Sequence, residues 1–320
     1  MRISQAARPA SPKLQRGERG LTRKTNYSPN PRVILRFPAY IYLKSSMTAA
    51  KFQKLIRHWY HRHGRHTLPW RKTRDPYAIL VSEVMLQQTQ VSRVIPKYRE
   101  FLRRFPTIQV LARAPLAGVL RAWQGLGYNR RAVYLKRLAE GVVQHHEGKV
   151  PSDPAALRRL PGIGPATAGA IATFAFGRRV AFLETNTRRV YLHCFFRHRH
   201  RVRDAEVLHE IQRTMPASHI RQWYYGLMDY GAMALRKTEN PNRRSAVYRR
   251  QPPFAGSRRE LRGRILAQVI RHGSVAADKL QEELKSNMRT PHPHHIRHII
   301  CALAREGLIR TQGERIAVPQ

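Results

Sequence analysis

The stretch Leu160-Pro161-Gly162-Ile163-Gly164-Pro165-Ala166-Thr167-Ala168-Gly169-Ala170 constrains this chain more than any other. Pro161 cannot continue a helix interior, and Gly162 and Gly164 permit a backbone that other residues resist. From Thr167 to Ala172 small residues start a new helix. The pattern predicts two helices joined by a tight glycine turn. Such a turn points backbone N–H groups outward at a helix N-terminus, where a phosphate binds without any side chain. A helix C-cap followed by a loop would use the same residues, so the flanking sequence has to decide.

Composition narrows the partner. The 320 residues suffice for two domains and a sizeable core. Sixty Lys and Arg face 19 Asp and Glu, a formal charge of +41 that calls for a polyanion. Nucleic acid stands ahead of an anionic membrane surface, because no apolar run is long enough to span a bilayer. The arginines are spread along the whole chain, so most of them individually read as solvated surface. Two cysteines, Cys194 and Cys301, lie far apart and in no metal-ligand spacing. They exclude a disulfide framework and fit a reducing compartment, the cytoplasm, with association to the nucleoid through DNA binding. Cys194, within the apolar run Val190 to Phe196, reads as a buried free thiol. The histidine groups His61/His63/His66 and His292/His294/His295 lack partnering cysteines or carboxylates and read as solvated or phosphate-facing, so no metal site is expected.

Residues 1–47 carry ten Lys and Arg and one acid, Glu18, with many Pro, Ser and Asn; they read as a basic disordered arm. Met47-Thr48-Ala49-Ala50-Lys51-Phe52 has the look of a start, with Thr48 as helix cap. From Lys51 to Tyr248 apolar residues recur at three- and four-residue spacing, which predicts helices over 51–63, 79–104, 110–114, 115–123, 130–146, 155–160, 167–176, 186–197, 204–215 and 220–232. Strand alternation is lacking there. The expected organisation is an all-α domain over 48–240, a Pro- and Arg-rich linker over 241–258, and a module over 259–320. That module holds three helices and a terminal hairpin at Leu308 to Val318, a winged-helix-like order.

Between residues 48 and 254 there are twelve acids against 38 Lys and Arg, and two of the acids sit in apolar runs. Glu83 lies within Ile79 to Leu86 and Glu184 within Val180 to Asn186. A carboxylate among apolar residues is costly unless paired or protonated, and burial raises its pKa, as a general acid requires. Glu184 or Thr185 opens a helix, where the N-terminal dipole favours a negative charge. One raised and one ionised carboxylate is the arrangement that breaks a glycosidic bond through an oxocarbenium-like state. From the residues alone, a surface glutamate and a simple helix cap account for the two equally well.

Longer motifs add to this. Leu68-Pro69-Trp70-Arg71, Asp75-Pro76-Tyr77 and Ser82-Glu83-Val84-Met85-Leu86-Gln87-Gln88-Thr89-Gln90-Val91 come first. Gly125-Leu126-Gly127-Tyr128, the hairpin at 160–170 and Met228-Asp229-Tyr230-Gly231-Ala232-Met233 follow in order. Together, over roughly residues 50–235, they resemble the MutY-type adenine glycosylases of the helix-hairpin-helix DNA glycosylase superfamily. The resemblance implies an all-α helix-hairpin-helix fold and an enzyme that flips adenine out of a duplex where it is mispaired with 8-oxoguanine or guanine. By that resemblance Glu83 matches the acid that protonates adenine and helps position water. Glu184 matches the family's catalytic Asp, one methylene longer, and Thr185 and Asn186 match neighbours that hold the site. Gln87 and Gln88 match residues that fill the stack when the base leaves, and Tyr128 one that intercalates beside the orphan base. Leu160, Gly162, Gly164 and Thr167 belong to the DNA-binding hairpin. Ala166 stands where bifunctional relatives carry a lysine nucleophile, so a monofunctional enzyme without strong lyase activity is implied.

Two departures follow. The family core continues into four cysteines that hold an iron–sulfur cluster, whereas Ala234 to Pro241 contains none, so no iron–sulfur cofactor is expected. Arg236, Lys237, Arg243 and Arg244 offer a replacement DNA contact. The tail does not resemble the Nudix-like domain that checks for 8-oxoguanine. The expected partner is double-stranded DNA bearing a mismatched or oxidised pair, bound by a monomer. A thymine or uracil mismatch glycosylase and a non-catalytic DNA-binding protein are the alternatives.

Overall fold

The computed structural model describes residues 47–285 and 293–319. The basic arm before Met47, His292 and the side chains of His294 and His295 lie outside the described residues. Eleven helices form the first part: α1 (Ala49–His63), α2 (Pro76–Leu86), α3 (Val91–Arg104), α4 (Ile108–Arg113), α5 (Leu116–Trp123), α6 (Arg130–His145), α7 (Pro154–Arg159), α8 (Pro165–Phe176), α9 (Thr185–Cys194), α10 (Asp204–Thr214) and α11 (Ile220–Asp229). Their starts follow from sequence. Thr48, Asp75 and Asp153 each accept a hydrogen bond from a first-turn backbone N–H of α1, α2 and α7, and Pro76, Pro154 and Pro165 occupy first helical positions.

Helices α2 and α8 pack together and are apolar on nearly every side, with Tyr77 to Ser82, Val84, Met85 and the whole run Ala168 to Phe174 buried. They divide two apolar clusters. One gathers α3 to α7 around Phe101, Trp123 and Leu138. The other gathers α1 and α9 to α11 around Phe52, Tyr191 and Tyr224. Glu83 on α2 therefore sits where two cores meet.

The helix expected over 79–104 is instead two helices, broken at Gln87 to Gln90, with Gln88 in the left-handed region at φ 55°. The cause is Arg131 of α6. Its guanidinium takes the carbonyls of Val84, Met85 and Gln87 at 2.8, 2.9 and 2.6 Å, so α2 is capped from another helix. After α11 the chain makes one wide π turn, Tyr230 to Ala234. Gly231 there lies so close to the backbone of Asn186 that a side chain would clash with it. Residues 241–246, in the stretch expected as linker, pack on α9. Asn242 is buried and donates to the Thr185 carbonyl (3.2 Å), and the Ala246 N–H donates to the Val202 carbonyl (2.9 Å).

The C-terminal module comprises α12 (Arg258–His272), β1 (Ser274–Ala276), α13 (Ala277–Lys285), α14 (Pro293–Arg305), β2 (Arg310–Gln312) and β3 (Arg315–Ala317). Its strands form an antiparallel sheet in the order β1-β3-β2, with Ile316 opposite both Val275 and Thr311. The terminal hairpin matches the sequence reading; the three-residue β1 is too short to carry a period and adds a third strand. Leu261, Ile265, Leu266 and Val269 of α12 join the apolar cluster of the helical domain, and α12 packs on α5. The module is thus built onto the helical domain.

Candidate active site

Glu83 is half-buried on the centre of α2. Burial, first, and the neighbouring Glu184 charge, second, push its pKa up to about 8, against an opposing pull from Arg71. Arg71 is itself engaged elsewhere. Its guanidinium donates both Nη atoms to Asp229 at 2.6 and 2.9 Å, and it lies over the Tyr225 ring at 4.3 Å. Asp229, at the end of α11, is fully buried and also accepts from Arg65 N (2.8 Å) and Nε (2.6 Å). Burial alone would raise the Asp229 pKa; the hydrogen bonds and charge of Arg71, then the charge of Arg65, outweigh it and hold the carboxyl below its usual range.

Glu184 is the N-cap of α9. Its Oε1 accepts from the Thr187 N–H at 2.5 Å, and its Oε2 from the Asn186 N–H at 2.9 Å and the Asn186 Nδ2 at 3.2 Å. Asn186 thus grips the carboxylate twice. Thr185 is exposed; its contribution is its carbonyl, tied to Asn242. The Gly231 carbonyl accepts from Arg189 Nη1 at 3.0 Å, which fastens the turn after Asp229 to α9. Glu83 and Glu184 thereby share one site, close enough for the Glu184 charge to act on Glu83.

Other residues singled out in the sequence are linked to the C-terminal end of α2. Gln87 is half-buried and its Nε2 donates to Thr167 Oγ1 (3.1 Å) and the Gly162 carbonyl (3.4 Å), so α2 reaches the hairpin directly. Gln88 is exposed. The hairpin forms as read: Gly162 at φ 79°, with Tyr134 where a Cβ would stand, and Gly164 capping α8. Leu160 requires correction. Its side chain is buried in the core and supports the hairpin from within, so any DNA contact would be through its backbone. Tyr128 is 39% exposed at φ 46°, at the end of the loop that follows α5. Of the basic residues offered as a cluster replacement, Arg236, Lys237 and Arg243 are exposed, whereas Arg244 turns inward to the Arg197 carbonyl at 2.5 Å. Cys194 is half-buried and its thiol is pushed up to about 12 by desolvation.

Two residues escaped the sequence reading. Asp229 stands in a motif of the sequence with no role assigned to it, yet it is fully buried. Its position beside Tyr224, Tyr225, Leu227 and Tyr230 was the available signal. Arg131 looked like one arginine among many. It is 8% exposed and binds Thr89 Oγ1 (2.9 Å) and the Gly127 carbonyl (3.0 Å) besides the α2 carbonyls. One guanidinium therefore holds the Gln87–Gln90 turn and the Tyr128 loop together. Nothing in the sequence distinguishes it except its place three residues after Tyr128.

Comparison with known proteins agrees with this geometry. Residues 81–216 match the family model of the HhH-GPD superfamily base excision DNA repair proteins. Over 196 residues the chain is 39% identical to the adenine DNA glycosylase of Buchnera aphidicola subsp. Baizongia pistaciae, covering 61% of this chain and 56% of that protein. Over 133 residues it is 47% identical to the adenine DNA glycosylase of Mycobacterium tuberculosis, covering 41% and 43%. The chain thus spans about half the length of the curated relatives it matches. Among solved structures, a thermostable thymine-DNA glycosylase is similar at a TM-score of 0.52 and 28% identity, covering 58% of this chain and 86% of that one. No helix among the described residues is long and apolar enough to cross a membrane.

Proposed function

We propose that this chain, whose residues 81–216 match the HhH-GPD superfamily of base excision DNA repair proteins, is a monofunctional glycosylase that hydrolyses the N-glycosidic bond of adenine mispaired with 8-oxoguanine or guanine in duplex DNA. The observation that carries the proposal is the Glu83–Glu184 pair: two neighbouring carboxyl groups in unlike surroundings, one pushed up to about 8, the other anchored at a helix N-terminus. Glu83, protonated at neutral pH, gives its proton to the departing base, and the C–N bonding electrons leave with that base. The Glu184 carboxylate faces the cationic sugar left behind. Water adds to that carbon, and its released proton returns to Glu83, which restores the acid.

The DNA-facing parts support the same reading. The hairpin offers the Gly164, Ala166 and Thr167 N–H groups at the start of α8, a phosphate-binding terminus on a chain of net charge +41. Gln88 and Tyr128 hold positive φ angles on the two loops that Arg131 joins, where strained, exposed side chains suit the gap a flipped base leaves. Ala166 cannot act as an amine nucleophile, which supports water as the attacking group. The enzyme works without an iron–sulfur cluster: the sequence has two cysteines, and the thiol of Cys194 is hard to ionise.

The similarity to a thymine-DNA glycosylase favours one second reading, thymine or uracil release from mismatches with guanine. The test is single-turnover base release from duplexes with A opposite 8-oxoguanine, A opposite G, T opposite G and U opposite G, with and without alkali. Adenine release with strand scission only after alkali is the expected result. Release of T or U alone would keep the site and replace the substrate. Binding without release of any base would leave a non-catalytic DNA-binding protein.

A further inference from the structure

Building on the glycosylase reading, we infer that Gln251 and Arg259 are positioning residues that set the Tyr128 ring and so determine which base is accepted opposite the excised one. Tyr128 is gripped from two sides. From within, Arg131 lies 5.6 Å from its ring centroid. From outside, its hydroxyl accepts from Gln251 Nε2 at 2.6 Å and Arg259 Nη1 at 3.2 Å. Gln251 comes from the segment that leads into the C-terminal module and Arg259 from the first turn of α12, each more than 120 residues away.

That segment is fastened for the purpose. Arg259 Nη2 donates to the Pro252 and Pro253 carbonyls at 2.8 and 3.4 Å, and its guanidinium lies 5.8 Å from the Phe254 ring centroid. Two consecutive prolines limit the backbone of this stretch, so one arginine side chain suffices to fix it. Arg259 itself stands in the first turn of α12, which shares its apolar core with α5. Helix α5 ends at Trp123, whose indole N–H donates to the Gly127 carbonyl at 3.2 Å. The tyrosine loop and Arg259 therefore rest on helices that share one apolar core, and the ring direction is set jointly by the helical domain and the segment that enters the C-terminal module. Phe254 is 60% exposed beside it, and Arg249, Arg250 and Arg258 are exposed on the same segment. Exposed aromatics interleaved with cations fit the strand that carries the orphan base, where rings stack and guanidinium groups meet phosphates. A purely structural role is a poor explanation, since hydrogen bonds to an exposed hydroxyl add little to stability.

The experiment compares single-turnover adenine release opposite 8-oxoguanine and opposite guanine for wild type, Tyr128→Phe, Gln251→Ala, Arg259→Ala, Arg259→Lys and the Tyr128→Phe/Gln251→Ala pair. Tyr128→Phe, Gln251→Ala and Arg259→Ala should each change the ratio of the two rates in the same direction by about five- to tenfold, the worth of one hydrogen bond. Adding Gln251→Ala to Tyr128→Phe should change it by less than about twofold further, because the shared hydroxyl is already gone. Arg259→Lys keeps the cation and should restore salt-dependent affinity, yet leave the ratio altered. An active wild type whose ratio is indifferent to Gln251→Ala and Arg259→Ala, or a fully additive pair, overturns this inference alone. A wild type that releases no adenine from either duplex overturns the glycosylase reading and this inference with it.

Discussion

If Glu83 gives its proton to the base, the pH profile of base release is fixed by its surroundings. With a pKa of about 8, roughly nine tenths of the carboxyl is protonated at pH 7 and roughly one tenth at pH 9. The single-turnover rate should therefore hold a plateau up to neutrality and fall about tenfold between pH 7 and pH 9. At the ordinary value of 4.5 only about three molecules in a thousand would carry the proton at pH 7, and the rate would already be falling tenfold per unit. The assay must read free adenine, since alkali cleaves the abasic product. Glu184→Gln removes the second cause of the shift, so its residual activity should decline at lower pH; burial, the larger cause, keeps that midpoint above 4.5. Stability carries the same signature. The folded-state pKa is raised, so the contribution of this carboxyl is complete below pH 4.5 and is lost as pH rises through about 8. Glu83→Gln should flatten the loss of thermal stability between pH 4.5 and about 8. A rate that falls steadily from pH 5 without a plateau would refute the assignment of Glu83 as the acid.

Asp229→Asn should cost about 3–5 kcal/mol in urea unfolding, because Arg71, 4% exposed, would lose its charge partner. The folded pKa of Asp229 is lowered, so its contribution is present above pH 3.8 and is lost as pH falls through the folded value; the variant should lack that acid-dependent loss. Arg131→Lys should slow base release at saturating enzyme by at least about tenfold, since an ammonium with three donors cannot replace a fork spanning two loops. Unaltered release in that variant would show the two loops to be independent. Gly162→Ala places a Cβ at 3.0 Å from Tyr134 on a left-handed residue, and about 1–2 kcal/mol of stability should be lost. Its duplex affinity should drop while release at saturation is retained, as gel-shift titration and single-turnover assay together would report.

The legible parts of this chain were those in which local chemistry announces itself. Pro161, Gly162 and Gly164 permit little besides a turn, and Glu184 followed by Asn186 and Thr187 is a cap in sequence as in space. Glu83 stood out because an apolar run surrounded it. The parts that were hidden depend on partners far away in sequence. The break between α2 and α3 is caused by Arg131, more than 40 residues on, and no period within 79–104 encodes it. Asp229 is stabilised by Arg65 and Arg71 from the first turns of the domain, about 160 residues earlier. Tyr128 was visible as a motif residue, but the grip of Gln251 and Arg259 on its hydroxyl requires the docking of a module whose contacts no local pattern records. In each case the missing information was a guanidinium, in a sequence with 60 Lys and Arg among which one buried arginine cannot be singled out.

The same abundance poses a problem that the site has to solve. A net charge of +41 favours a polyanion such as the proposed DNA substrate, yet a positive field also strips protons from carboxyl groups, and the proposed chemistry needs one carboxyl to keep its proton. The nearest cation to influence Glu83 is Arg71, and Asp229 neutralises it at two hydrogen bonds. Glu184 then adds a negative charge on the other side. By holding Arg71, Asp229 is expected to act on the acid without touching it. This separates Asp229→Asn from an ordinary destabilising change. With Arg71 unpaired, the pKa of Glu83 should fall, and the descending limb of the pH profile should move to lower pH even at temperatures where the variant is fully folded. A folded Asp229→Asn enzyme with the wild-type profile would mean that Asp229 holds the fold alone, and that burial by itself keeps the proton on Glu83.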